Sequence, residues 1–266
     1  MNFIRNFYKN TNNDKKIIAG NYVSLFVLQI ANYLLPLLIL PFLVRVLGTE
    51  KFGLIMFAQS LVLFLTIFVD FGFNLSGTRE ISLAREEKQK LSEIFTAIII
   101  IKVGLVLIAS FILFGVVNFF TRFRIDAQIY YLSFGVVIGQ SIFPVWFFQG
   151  IEKMKFITFI NIAAKTIFTL LVFVFIRVQS DYTLVPIFNS LGFIVSGIFG
   201  FLFCFRYVDF KFPPLSLIRR LLLESYSLYI SNFAASLYTA SNVFILGIFA
   251  GNTIAGVYAS MEKLIL

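Results

Sequence analysis

The stretch Ile94–Val117, IFTAIIIIKVGLVLIASFILFGVV, holds a single charged residue, Lys102, in 24 positions. A helix that crosses a bilayer needs about 20 mostly apolar residues. Inside lipid the backbone must satisfy its own hydrogen bonds, which an α-helix does within one segment. The stretch therefore reads as a membrane span. Working outward along the chain, six more segments qualify: Ile17–Leu43, Phe52–Leu75, Ile129–Phe148, Phe156–Ile176, Val185–Phe205 and Ser227–Phe249. An eighth begins near Ile254 and is cut by the end of the chain at Leu266. The expected fold class is an all-α integral membrane protein, a polytopic helix bundle with about 7–8 transmembrane helices.

Composition agrees. The chain is 59% hydrophobic and 13% charged, where soluble domains carry about 25% charged residues. So much apolar surface cannot be hidden in one aqueous core, which excludes a soluble enzyme, and disorder requires the opposite composition. The 36 phenylalanines read as lipid-facing surface. Cys204 stands alone and histidine is absent. That removes an intramolecular disulfide, the commonest general base and the commonest metal ligand. No catalytic residue, cofactor or metal is expected. The net charge of +9 reflects Lys and Arg held in cytoplasmic loops rather than a nucleic-acid partner. Met1–Lys16 is polar and basic, and the apolar run after it is too long for a signal-peptide core, so it leads into an uncleaved first span.

Alternate connections differ in their basic residues. One set holds Arg5, Lys9, Lys15, Lys16, Arg79, Arg85, Lys88, Lys90, Lys153, Lys155, Arg206, Lys211, Arg219 and Arg220, which is 14; the other holds Arg45, Lys51, Arg122, Arg124 and Arg177, which is 5. The positive-inside rule puts the N-terminus in the cytoplasm. Residues 1–205 form a first six-helix bundle, 206–226 a cytoplasmic linker and 227–266 the start of a second bundle. In the linker, Pro213-Pro214 precede an amphipathic run, Leu217–Leu223, expected to lie in the interface. The Gly77–Glu93 loop, with an i,i+4 Glu86–Lys90 pair, is expected to extend the third helix as a solvated face. Gly48-Thr49-Glu50-Lys51-Phe52-Gly53 is echoed 203 residues later by Gly251-Asn252-Thr253-Ile254-Ala255-Gly256. The echo is either chance at two glycine-rich turns or a parallel repeat of two six-helix halves, the second incomplete.

Polar residues inside spans are costly and normally face an interior. In the fifth span Thr158, Asn161, Lys165 and Thr169 stand at offsets 0, 3, 7 and 11, on one helical face. In the second, Gln59, Thr66, Asp70 and Asn74 stand at 0, 7, 11 and 15. The first span carries Gln29, Asn32 and Tyr33, and the seventh Tyr229, Asn232, Ser236 and Thr239. Single Asn, Ser and Thr residues also join helices by hydrogen bonds. A full charge needs water or a counter-ion, so Lys165 is read as facing a hydrated lumen, against a rival ion pair with Asp70. Asp70 either pairs with Arg79 or reaches water, and Lys102 snorkels toward the cytoplasm. Lys263 falls in the eighth span. Gly192, Ser196 and Gly200 form a small-residue packing ridge. Amides and hydroxyls beside Tyr33, Trp146, Tyr229 and Tyr238 suit sugar hydroxyls and ring faces, and embedded lysines suit an anion such as pyrophosphate.

Two stretches carry a family resemblance. Asp70-Phe71-Gly72-Phe73-Asn74-Leu75-Ser76-Gly77-Thr78-Arg79-Glu80-Ile81, followed by Leu91-Ser92-Glu93-Ile94-Phe95, resembles Wzx-type O-antigen and polysaccharide flippases. So does Pro144-Val145-Trp146-Phe147-Phe148-Gln149-Gly150-Ile151-Glu152-Lys153-Met154, the most specific part. Leu47-Gly48-Thr49-Glu50-Lys51-Phe52-Gly53 is similar to the same family, which shares a superfamily with multidrug (MATE) exporters. The resemblance implies a non-enzymatic flippase of the bacterial inner membrane. It would move an undecaprenyl-pyrophosphate-linked oligosaccharide from the cytoplasmic to the periplasmic leaflet by alternating access. Its partners would be that substrate, membrane lipids and the polysaccharide polymerase and chain-length machinery. Such proteins have about twelve spans in two halves. This chain stops near the eighth and is expected not to support export alone.

Three other readings differ in what they require. A multidrug cation antiporter wants acidic residues in its lumen, whereas the deep charges here are mostly basic. A membrane polymerase or glycosyltransferase needs a sizeable outer loop. A nonfunctional truncated product is the third.

Overall fold

The computed structural model describes the backbone of residues 2–265, with side chains described from residue 23 onward except at 24, 25, 28, 32, 239, 240 and 264–265. Ten α-helices and one short 3-10 helix, Gln179–Thr183, make up the described residues, with no strand among them. The helices are α1 (Asn2–Asp70), α2 (Phe73–Ala84), α3 (Lys88–Phe119), α4 (Thr121–Arg124) and α5 (Ala127–Ile142), then α6 (Val145–Gly150), α7 (Met154–Phe175), α8 (Leu184–Cys204), α9 (Leu215–Phe249) and α10 (Asn252–Ile265). Five helical segments are long and apolar enough to cross a membrane, or six with α9, whose halves Leu215–Tyr238 and Ser241–Phe249 bend by 53°. The first of these, Gln29–Ala84, contains the second expected span and the first from Gln29 onward. α1 is two rods meeting at Gly48, whose φ of 74° and ψ of 164° are not helical. Counted as two rods there, the apolar segments among the described residues number up to seven. α10, at 14 residues, is below spanning length. The protein is a polytopic membrane helix bundle.

Three local expectations are corrected. The second span ends at Asp70, not Leu75, because Phe71 (φ 49°) and Gly72 (φ 79°) turn the chain. Gly72 fits where a Cβ would come 2.9 Å from Leu228 Cβ. The charged segment after it extends α3 only from Lys88 onward; Phe73–Ala84 is a helix of its own that buries Phe73 and Ile81. At the start of α3, Lys90 pairs with Glu87 at 2.9 Å rather than with Glu86. Leu217–Leu223 is not a separate interfacial helix but the first turns of α9, continuous with the seventh span.

The connections segregate to two ends. At one, Arg85 meets Glu152 at 2.7 Å, Lys88 meets Asp209 at 2.8 Å, and Arg220 meets Glu80 at 2.8 Å. The linker is strapped to α3 here, the Asp209 N–H donating to Ser92 Oγ at 3.1 Å and the Lys211 N–H to Thr96 Oγ1 at 3.4 Å. At the other end lie Gly48, α4, the 3-10 helix and the α9–α10 turn. There Lys51 sits 4.7 Å over the Tyr182 ring, and Arg122 donates to Gly247 O.

Small residues set the tightest helix contacts. α5 and α8 meet through Gly139 against the Phe193–Ile194 backbone and Gly197 against Gly139 O. Of the expected ridge, Gly200 does pack, against the Phe143 ring. Gly192 lies against Ala164 and Phe168 of α7 and Ser196 is buried, and both also border a cavity. The two echoed turns also meet. Gly48 and Gly251 both have positive φ, and Gly53 and Gly256, five residues after each, pack on one another.

Candidate functional site

Three chambers adjoin around Phe193 inside the bundle. The first, about 200 Å³, is lined by α1, α7, α8 and α10 and holds Gln59, Asn161, Lys165, Thr169, Asn189 and Lys263. The second, about 290 Å³, holds Thr66, Asp70, Asn74, Lys102, Gln140, Asn161 and Lys165. The third, about 470 Å³, holds Gln59, Thr66, Gln140, Asn189, Glu262 and Lys263. Lys165 and Asn161 border the first two, Gln59, Asn189 and Lys263 the first and third. Three lysines face two carboxylates across these walls, set among carboxamides and phenyl rings.

The 3.6-residue period explains how α7 delivers its part. Asn161, Lys165 and Thr169 follow one another at i+4 on the inward stripe. Thr169 Oγ1 donates to Lys165 O at 2.8 Å and Asn161 Nδ2 to Ile157 O at 3.4 Å. Thr158, at the start of that stripe, is buried and borders none of the three chambers. On α1 the stripe is Gln59, Thr66 and Asp70. Asn74 arrives from the next helix, its N–H donating to Asp70 Oδ2 at 3.4 Å.

Asp70 pairs neither with Arg79, which is exposed, nor with Lys165. Its Oδ1 accepts from Lys102 Nζ at 3.1 Å. Lys102 does not snorkel: it is 3% exposed, because α3 turns that face into the bundle. Nine of the expected residues therefore line the chambers: Gln59, Thr66, Asp70, Asn74, Lys102, Asn161, Lys165, Thr169 and Lys263.

Others do not. Gln29 and Asn232 are exposed, and the side chains of Asn32 and Thr239 lie outside the described residues. Ser236 is buried and donates to Phe233 O at 2.7 Å. The aromatic platform is also corrected. Tyr33 is 56% and Tyr238 86% exposed, and Tyr229 stacks on Phe71 with centroids 4.9 Å apart. Trp146 is completely buried, packed on Phe95 and beneath Gly77. The rings that reach the chambers are phenylalanines: Phe52, Phe143, Phe168 and Phe193. Gln140, Asn189 and Glu262 were missed by sequence reasoning. A signal existed for two of them, since Ser133 and Gln140, and Asn189 and Ser196, are each seven residues apart, two helical turns on one face.

The two signature stretches prove to be one structural unit. α2 packs on α6, with Thr78 Oγ1 hydrogen-bonded to Trp146 O at 3.2 Å and to Gln149 Oε1 at 3.1 Å. Gly150 fits against Ile81 and Thr78 O. This unit caps the second chamber from the basic end through Phe143, Val145 and Asn74.

A bundle of apolar helices around polar, lysine-bearing chambers defines a polytopic membrane protein with an internal hydrophilic cavity. The chain belongs to the polysaccharide biosynthesis protein family, whose model matches residues 18–266. It is 35% identical over 247 residues to a protein of Escherichia coli (strain K12) named "Putative O-antigen transporter", covering 92% of this chain and 60% of that relative. It is 28% identical over 255 residues to a protein of the same name from Shigella dysenteriae, covering 92% and 62%. The chain thus spans about three fifths of the length of these curated relatives. No solved structure matches it.

Proposed function

We propose that this chain forms the substrate cavity of an inner-membrane flippase. Its substrate is an oligosaccharide repeat unit linked through pyrophosphate to a polyprenyl lipid. The protein carries it from the cytoplasmic to the periplasmic leaflet by alternating access, with its N-terminus in the cytoplasm. The observation that carries this reading is the convergence of Lys102, Lys165 and Lys263 with Gln59, Gln140, Asn161 and Asn189 on adjoining chambers. Ammonium groups attract phosphate as point charges, and carboxamides match sugar hydroxyls with both donors and acceptors. The two relatives named as O-antigen transporters support the same class of substrate. Residues 1–205 serve as the first bundle, 206–226 as the cytoplasmic linker and 227–266 as the opening of a second. The cavity binds and releases its substrate without making or breaking a covalent bond.

Lys165 is assigned to the pyrophosphate. In the intact protein, Lys165→Ala is expected to cut surface polysaccharide about tenfold or more, the loss of one charge-assisted contact worth about 1.5–3 kcal/mol. Lys165→Arg should retain part of it. Complementation of a flippase-null strain, at matched protein levels in the membrane, reads the effect. Wild-type export by Lys165→Ala overturns the assignment.

A further inference from the structure

The second chamber holds an ion pair whose acid sits where a ligand's anion would sit. Lys102 Nζ is 3.1 Å from Asp70 Oδ1, with the lysine side chain 4% and the aspartate 18% exposed. Both residues border the chamber that Lys165 also borders, together with Asn161 and Gln140. An ion pair inside a bundle gains little stability over an apolar replacement, since its desolvation cost is large. What it does secure is placement: the carboxylate fixes the Lys102 ammonium at the chamber wall. A carboxylate and a phosphate present the same thing to an ammonium, two or three anionic oxygens at hydrogen-bonding distance. The chamber wall carries two lysines and one carboxylate, so an anion entering it has Lys165 on one side and the Lys102–Asp70 pair on the other.

We infer that Asp70 is a resident stand-in for the substrate's diphosphate. It holds Lys102 in place while the chamber is empty and gives it up when the diphosphate binds between Lys102 and Lys165. This rests on the diphosphate-bearing substrate proposed above and adds to it a second cation and a competing carboxylate. The competition has a consequence that a purely structural ion pair lacks. Removing the acid should make the anion bind more tightly, not less. It also lets the substrate leave, because Lys102 is never left without a partner when the diphosphate departs.

The test is titration of the protein in nanodiscs with inorganic pyrophosphate, read by calorimetry. Asp70→Asn is expected to bind about tenfold more tightly than wild type and Lys102→Met about tenfold more weakly. The double variant should match Lys102→Met. Unchanged or weaker binding by a folded Asp70→Asn overturns the inference, as does wild-type protein that binds no pyrophosphate. If Asp70→Asn does not fold, Lys102→Met decides alone; wild-type affinity in that variant overturns the inference. The two readings fail separately. Export that depends on Lys165 while pyrophosphate affinity ignores Asp70 and Lys102 removes only the exchange. Affinities that follow the pattern in a protein that exports no polysaccharide remove only the flippase.

Discussion

Gly53 and Gly256 face each other where α1 crosses α10, and each tolerates nothing larger than hydrogen. A Cβ on Gly53 would overlap the Asn252 carbonyl, and one on Gly256 would lie 2.5 Å from Thr49 O and 2.8 Å from Gly53 Cα. These obstacles are backbone, which cannot rotate aside as a side chain can. In a free helix Gly→Ala gains roughly 0.5–1 kcal/mol, but overpacking costs about 1–3 kcal/mol, so the clash wins. Gly53→Ala is expected to lower the Tm of purified protein in detergent. Gly104→Ala is the matched control: Gly104 lies in α3 with nothing within 4 Å of its Cβ position, and there Tm should hold or rise. Equal melting of Gly53→Ala and wild type would refute the close packing.

At the scale of elements, the end of α9 shows how one side chain can hold two helices. The last carbonyls of a helix have no partner within it and carry the negative end of its dipole. Arg122 supplies what they lack. Its Nε and Nη2 donate to Gly247 O at 3.1 and 2.8 Å, and Nη2 also donates to Asn252 Oδ1, where α10 begins. The guanidinium lies 5.2 Å over the Phe57 ring of α1. Arg122→Met keeps the stem and removes the donors, a loss of about 1.5–3 kcal/mol for a charged hydrogen bond. The backbone amides of α10 should then exchange at least about tenfold faster with deuterium, while those of α5 and α8 stay as they were. Unchanged exchange in α10 would show that the arginine holds nothing.

For the whole molecule, the basic asymmetry of the connections and the folded arrangement coincide. Loops carrying Arg85, Lys88, Lys153 and Arg220 meet one another at one end. Gly48, Arg122 and the α9–α10 turn gather at the opposite end. Cytoplasmic placement of the basic end is expected from the positive-inside rule. Reporter fusions at Arg79 and Phe212 should both report cytoplasm, and periplasmic activity at either reverses the map.

The sequence by itself determined the class of this protein, the places of its spans and the sorting of its connections. Each follows from local quantities: apolar length against bilayer thickness, and the count of lysines and arginines between spans. It also determined most of the inward stripes, because polar residues on an apolar helix can only be kept where the bundle covers them. What only the tertiary structure decided is which of those polar groups meet. Asp70 finds Lys102, which lies 32 residues away on another helix, because the Phe71-Gly72 turn ends α1 beside α3. Trp146 is packing rather than platform because α2 closes over α6. Gln140 and Asn189 join the chamber because the Gly139 and Gly197 contacts bring α5 and α8 close together. Hydrophobic periodicity says which face of a helix turns inward; the neighbour across from it depends on crossing angles and glycine contacts, which a linear pattern does not carry.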